Sequence, residues 1–210
     1  MIKDYKDYIK EHLDIDPFGE EDWESDNLSP LLQLVRKQYG SKPYDEIIRL
    51  DCYEEKLTSL EDIENLVNLK ELYCHDNQLT SLEGVENLVN LKILCCGYNQ
   101  LTSLEGLENL VNLKMLFCYT NQLTSLEGVE NLVNLKELYC SENRLTSLEG
   151  IENLVNLKYF HCINNQLTTL EGIENLVNLK DLFCSHNKFD KNYKIYLKNY
   201  CKNKNISLII

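Results

Sequence analysis

The apolar positions of this chain fall on a grid of 22 residues. One turn of the grid places Leu at 69 and 72, Cys at 74, Asn at 77 and Leu at 79, and then runs LTSLEGVENLVN before starting again. The regular copies begin at Glu71, Ile93, Met115, Glu137 and Tyr159, with a degenerate copy before them from Ile47 and a partial one after, about seven in all. A unit this short cannot bury its apolar side alone, so copies must stack and cover one another, which is the signature of a solenoid. Within a turn, LKELYC is short and alternating. It predicts a strand that stacks in parallel on identical neighbours, with Leu69, Leu72 and Cys74 inward and Glu71 and Tyr73 outward. The following LTSLEGVENLVN is too short for a regular helix and carries a Gly at a bend, which predicts 3₁₀ or irregular turns on the opposite side. The fold class expected is an α/β solenoid with a parallel β-sheet on its concave face and 3₁₀ or irregular turns on its convex face.

The grid does not reach the ends. In residues 1–44, Tyr5, Tyr8, Ile9 and Leu13, then Leu31, Leu32, Leu34 and Val35, are spaced as on short helices, with PFGE and LSP as breaks. A solenoid end exposes an apolar cross-section, so this segment is expected to be an N-terminal helical cap in which Trp23 also packs. Residues 45–189 hold the repeats. The first departs from the rest, with Glu55 where the others have Asn and Asp51 at a position that is mostly aromatic later. In residues 190–210, Tyr193, Tyr196, Leu197 and Tyr200 share one helical face and ISLII offers a last strand, together a C-terminal cap.

The motif LxxLxCxxNxL, carried by Leu69, Leu72, Cys74, Asn77 and Leu79 and repeated in register, resembles the leucine-rich repeat signature. Its length and the downstream LxxLEGxENLVN are similar to the 22-residue internalin or protein-phosphatase-regulator type. Cys in place of the commoner Leu, and NLVNLK in every turn, resemble the wording of leucine-rich repeat proteins of giant viruses. The resemblance implies a non-enzymatic module that binds a protein partner.

Charge narrows the partners. The net charge is −13, with 10 basic and 23 acidic side chains between residues 45 and 188, whereas residues 189–210 carry five Lys and one Asp. An acidic body repels phosphate backbones, so nucleic acid is not expected. The N-terminus lacks an apolar run after its charges, and no stretch approaches membrane-spanning length, so neither secretion nor a membrane is expected. Of the nine Cys, seven share one repeat position, which points to reduced thiols and a cytoplasmic location, or the host cytoplasm for a viral protein.

Several columns barely vary. Asn77, Asn99, Asn121, Asn143, Asn165 and Asn187 fall where the chain leaves the strand, and a buried amide there can serve the backbone of its own and the next coil. The Cys column, Cys52 to Cys184, lacks paired CxxC motifs and His partners at ligand spacing. It is read as small core hydrophobes, with no metal and no cofactor. The columns of Glu83 and Glu86 and of Lys70 and their equivalents are read as solvated faces.

Variation gathers in four other columns: Glu71, Ile93, Met115, Glu137, Tyr159 and Asp181; Tyr73, Cys95, Phe117, Tyr139, His161 and Phe183; His75, Gly97, Tyr119, Ser141, Ile163 and Ser185; and Asp76, Tyr98, Thr120, Glu142, Asn164 and His186. These are the outward strand positions and the two residues after the inward Cys. Exposed aromatic stripes mark contact surfaces, and Tyr and Phe are enriched at interface cores. Six strand gaps of about 4.8 Å give a groove near 29 Å long, suited to a protein segment. The side chains of these columns are therefore the candidate partner-binding surface. Two alternatives differ in class: self-association as a scaffold component, and a cysteine-dependent enzyme using Cys95 with His75, for which the expected diagonal of about 7–8 Å is too long for a hydrogen bond.

Overall fold

The computed structural model describes residues 28–210. The helix expected on Tyr5, Tyr8, Ile9 and Leu13, and Trp23, lie outside the described residues. Eight strands of three residues each form one parallel sheet in chain order. They are β1 (Arg49–Asp51), β2 (Glu71–Tyr73), β3 (Ile93–Cys95), β4 (Met115–Phe117), β5 (Glu137–Tyr139), β6 (Tyr159–His161), β7 (Asp181–Phe183) and β8 (Ser207–Ile209). Seven gaps of about 4.8 Å make the sheet about 34 Å long, one strand longer than the repeats alone supply.

Each central strand residue is buried and its two neighbours are half-buried, from Leu72 between Glu71 and Tyr73 to Leu182 between Asp181 and Phe183. The registers hold equivalent positions opposite each other, as with Leu94 on Leu116 and Phe117 on Tyr139. A slip of one residue would turn the Leu and Cys layers outward. Opposite the sheet, single 3₁₀ turns form at Ile63–Asn65, Val85–Asn87, Ile151–Asn153 and Ile173–Asn175, and the two central coils make irregular turns there. The bend before each turn is left-handed. At Gly128, φ is 100° and a Cβ would lie 2.7 Å from the Leu104 carbonyl oxygen, so both the backbone and the coil beneath require Gly. The equivalent position in the first coil, which has no coil beneath it, is Asp62.

Helix α1 (Pro30–Tyr39) begins with Ser29, whose hydroxyl accepts from the Leu32 N–H, and with Pro at its first position. It lays Leu31, Leu34 and Val35 on the first coil, within the same core as Ile47 and Leu50. It also blunts the sheet edge. Ile48 and Cys52 bond to the β2 side, so the carbonyls of Arg49 and Asp51 alternate to the free side. There they accept from the Tyr39 hydroxyl at 2.5 Å and from the Gln38 amide. At the other end α2 (Lys191–Lys204) is capped by Asp190, which accepts from the Tyr193 N–H at 2.7 Å, and buries Leu197 and Cys201. The chain then adds β8 to β7.

Candidate outward-face site

The four variable columns lie together on the sheet face opposite the core and on the loop that follows it. From Phe117 onward the second column forms a continuous ladder of rings. Phe117 stacks on Tyr139 (centroids 4.7 Å apart, 10° between planes), Tyr139 meets His161 edge-on at 4.5 Å, and His161 stacks on Phe183 at 4.1 Å. Adjacent strands hold identical positions in register, so rings one strand apart meet without any bend of the backbone. The expectation that this stripe stands free in solvent needs correction: every member from Tyr73 to Phe183 is half-buried, Tyr73 beneath the Arg49 guanidinium and the rings from Phe117 onward against one another. Burial holds His161 below the usual imidazole range, while Asp181 and Glu137 pull the other way, so the ring is neutral at neutral pH.

In the first column Glu71, Ile93, Met115, Glu137, Tyr159 and Asp181 are all half-buried. The tyrosine hydroxyls of the second column donate to carboxylates of the first on their own strands, Tyr73 to Glu71 at 3.3 Å and Tyr139 to Glu137 at 3.2 Å. At the N-terminal end Arg49 bonds both carboxylate oxygens of Asp51 (2.9 and 3.0 Å) and Glu71 (3.1 Å), with its guanidinium carbon 4.4 Å from the Tyr73 ring centre.

The third column is uneven. His75 stacks on Tyr53 at 4.9 Å, and Tyr119 packs edge-on against Tyr98 at 5.3 Å. Gly97 is buried beneath Tyr119, whose ring atoms would lie 2.9 Å from a Cβ there, so this column is interrupted by a glycine that makes room for a ring. The Ser141 hydroxyl accepts from the Ile163 N–H at 3.1 Å. In the fourth column every residue is left-handed: Asp76, Tyr98, Thr120, Glu142, Asn164 and His186 have φ between 50° and 57°. Asn and Asp tolerate this conformation, but a β-branched Thr or a Tyr there is strained by about 1–2 kcal/mol.

Cys95 and His75 are not joined by a hydrogen bond. Burial pushes the Cys95 thiol up to about 12, which is opposite to what a nucleophile requires. The seven column thiols are completely buried and free. Burial raises them all, with Cys52 and Cys184 reaching about 12.

The uniform columns explain the spacing of the coils. The Asn121 amide donates to the carbonyls of Cys118 and Tyr119 in its own coil and Cys96 in the coil before, and its oxygen accepts from the Leu101 N–H. The same pattern runs from Asn77 to Asn187. The amide thus serves the preceding coil, not the next one as expected from sequence. The first coil has no coil before it, which is why Glu55 suffices there. A second ladder was not anticipated. Asn90, Asn112, Asn134, Asn156 and Asn178 each donate to the Val carbonyl of the previous coil at 2.8–3.2 Å. The second Asn of NLVN, present in every turn, was its signal. Part of the Glu column is also structural, since Glu108, Glu130 and Glu152 accept from Gly N–H groups at 2.8–3.0 Å. Also unanticipated is a ridge of exposed valines, Val67, Val89, Val111, Val133, Val155 and Val177, one per coil. Among the described residues no helix is long and apolar enough to cross a membrane.

The family described as leucine-rich repeats (2 copies) matches at residues 89–131 and 133–175. A leucine-rich repeat protein of Leptospira interrogans is 33% identical with a TM-score of 0.67, covering 70% of this chain and 38% of its own. Two internalins of Listeria monocytogenes are each 23% identical. The internalin inlF has a TM-score of 0.63 and covers 87% of this chain and 62% of its own. Internalin C2 has a TM-score of 0.62 and covers 86% and 91%. This chain therefore spans well under half the length of the first of these proteins and less than two thirds of the second, and at their identity the internalins show the fold alone. All three are bacterial and none bears on the viral wording; no curated protein matches. The recurring strand, asparagine ladder and 3₁₀ turn make this chain a leucine-rich repeat protein of internalin-like form.

Proposed function

We propose that the chain is a non-enzymatic module that binds a segment of a protein partner along the concave sheet, using the outward side chains of the variable columns. The observation that carries this reading is the ring ladder from Phe117 to Phe183, which coincides with the columns in which otherwise uniform copies differ. Stacked rings on fixed strands form a rigid apolar stripe, and its ordering cost is already met before a partner arrives. Net charge argues against nucleic acid, and the run of free thiols suits a reducing compartment such as the cytoplasm.

Cross-linking in native lysate would identify the partner, and binding of the purified pair would then be measured. Replacing Phe117 and Tyr139 together by Ala is expected to weaken binding by about 2 kcal/mol or more. Because the two rings stack, it should also lower stability by about 1 kcal/mol. Lys114 and Lys136 are exposed on the same coils, and their Ala variants should bind nearly as the parent does. Unchanged affinity in the aromatic variant would defeat the concave-face reading.

A second reading, self-association, is favoured by the valine ridge, six apolar side chains aligned on the outside of the coils. Light scattering separates the two. A protein that stays monomeric at high concentration excludes the second.

A further inference from the structure

The concave sheet contains one seat for a guanidinium that is filled from within the chain. Arg49 lies against the ring of Tyr73 and is bonded by Asp51 on its own strand and Glu71 on the next. The ingredients are a tyrosine ring and two carboxylates at outward positions of adjacent strands. They suit arginine in particular, whose planar fork takes two carboxylate oxygens at once and whose face lies flat on a ring.

A tyrosine ring with two carboxylates recurs farther along, spread over three strands, where no described residue supplies a cation. Register places Glu137 opposite Tyr159 and Tyr159 opposite Asp181, so the ring is flanked on both sides by a carboxylate. The Glu137 carboxylate is held by the Tyr139 hydroxyl, as Glu71 is by Tyr73. Beside them stands His161, which is neutral at neutral pH. Among the described residues, neither acid makes an ion pair, and the Tyr159 ring and hydroxyl have no stacking or hydrogen-bonding partner. No Lys or Arg occurs in the outward strand columns after Arg49. Two half-buried carboxylates beside an open ring, on a chain of net charge −13, are complementary to a cation brought from outside.

We infer that Glu137, Tyr159 and Asp181 seat an arginine side chain of the partner segment. The inference rests on the concave-face reading and names the chemistry of one contact within it. The arginine lies over the Tyr159 ring and bridges to the carboxylates, next to the ring ladder that takes the apolar part of the segment.

The test uses the full chain with labelled tyrosine and follows the ring signals by NMR during titration with N-acetyl-arginine amide. N-acetyl-citrulline amide, which has the same shape without the charge, serves as the control. Arginine is expected to shift the Tyr159 signals saturably and citrulline to leave them in place. The double variant Glu137→Gln with Asp181→Asn should lose about tenfold in affinity. Removing the same charge from the turns, by Glu127→Gln with Glu149→Gln, should change it less than about twofold. Followed on the ring signals of Tyr139, whose hydroxyl bonds Glu137, Tyr159→Phe should retain binding and Tyr159→Leu should lose it. Equal shifts with citrulline, or equal losses in the two double variants, would mean shape or general charge attraction and would overturn the seat. If arginine does not bind while the Phe117 and Tyr139 variant still loses its partner, the seat is wrong and the concave-face reading stands. If arginine binds as expected but the identified partner is indifferent to Glu137→Gln with Asp181→Asn, the assignment of the partner's arginine to this seat falls.

Discussion

Thr120 and Asn121 are neighbours in one loop and answer to different constraints. Asn121 is buried, sits in a column that hardly changes, and satisfies four backbone groups across two coils. Thr120 has a left-handed backbone that disfavours its own side chain, in a column where almost every copy differs. The inner position carries what stacking requires. The outer one holds residues that stability would not choose, and strained residues kept at a rim are expected where the side chains themselves are used. The contrast extends along β2 to β7, with Leu or, on β6, Phe160 inward, Cys inward after each strand, and a changing set of side chains outward.

The largest test of the inner side is pH. An unfolded thiol titrates near 8.5, whereas burial raises the folded-state value of every column cysteine, most fully for Cys74, Cys96, Cys118, Cys140 and Cys162. A group whose pKa is raised by folding contributes stability that is intact below its unfolded value and lost as pH climbs from there toward the folded one. Each thiol then removes about 1.4 kcal/mol per pH unit, so seven together give about 10 kcal/mol per unit. Urea unfolding in reductant should show stability flat up to about pH 8 and collapsing within the next one to two units. A flat profile to pH 10 would mean that the column is hydrated.

Next in size is Asn121→Ala, expected to cost about 3 kcal/mol because three carbonyls and one N–H lose a partner in a site water reaches poorly. Chemical denaturation measures it. A loss under about 1 kcal/mol would show that water replaces the amide and that the ladder is not what spaces the coils.

Much of this division was legible in the sequence. The 22-residue grid sets the solenoid, and alternation in LKELYC assigns the faces of each strand, because period two admits only one register with the leucines inside. The left-handed fourth column was not legible, since Tyr98, Thr120, Glu142 and His186 do not announce a positive φ as Gly does. Nor was the reach of the asparagines toward the preceding coil, because a repeat pattern looks the same read in either direction along the stack. The valines of NLVN also misdirect: their apolar side chains stand outside while the carbonyls do the bonding, and composition does not separate the two. For the candidate site the variable columns could be named, but their burial could not, since it depends on how each ring lies on the next.

On the outer side, Thr120→Asn is expected to stabilise the protein by about 1 kcal/mol, the strain of a β-branched residue at φ 52°. Its hydroxyl hydrogen bond to Glu142, at 3.2 Å and exposed, offsets little of that gain. A destabilised variant would mean that the rim conformation is held by the threonine itself, and the outer column would then be as structural as the inner one.

The smallest effect should come from Glu55→Asn, which restores the inner residue in the one coil that lacks it. In later coils the amide bonds the coil before it, for instance Asn99 to the Cys74 carbonyl and the Leu79 N–H. At Glu55 what precedes is α1 and the 3₁₀ turn Tyr44–Glu46, not a coil, so two of the four bonds have no counterpart to reach. The change in melting behaviour should therefore stay within about 0.5 kcal/mol. A gain as large as the loss from Asn121→Ala would show that the amide acts chiefly on its own turn, and the ladder would no longer explain why coils join in one direction.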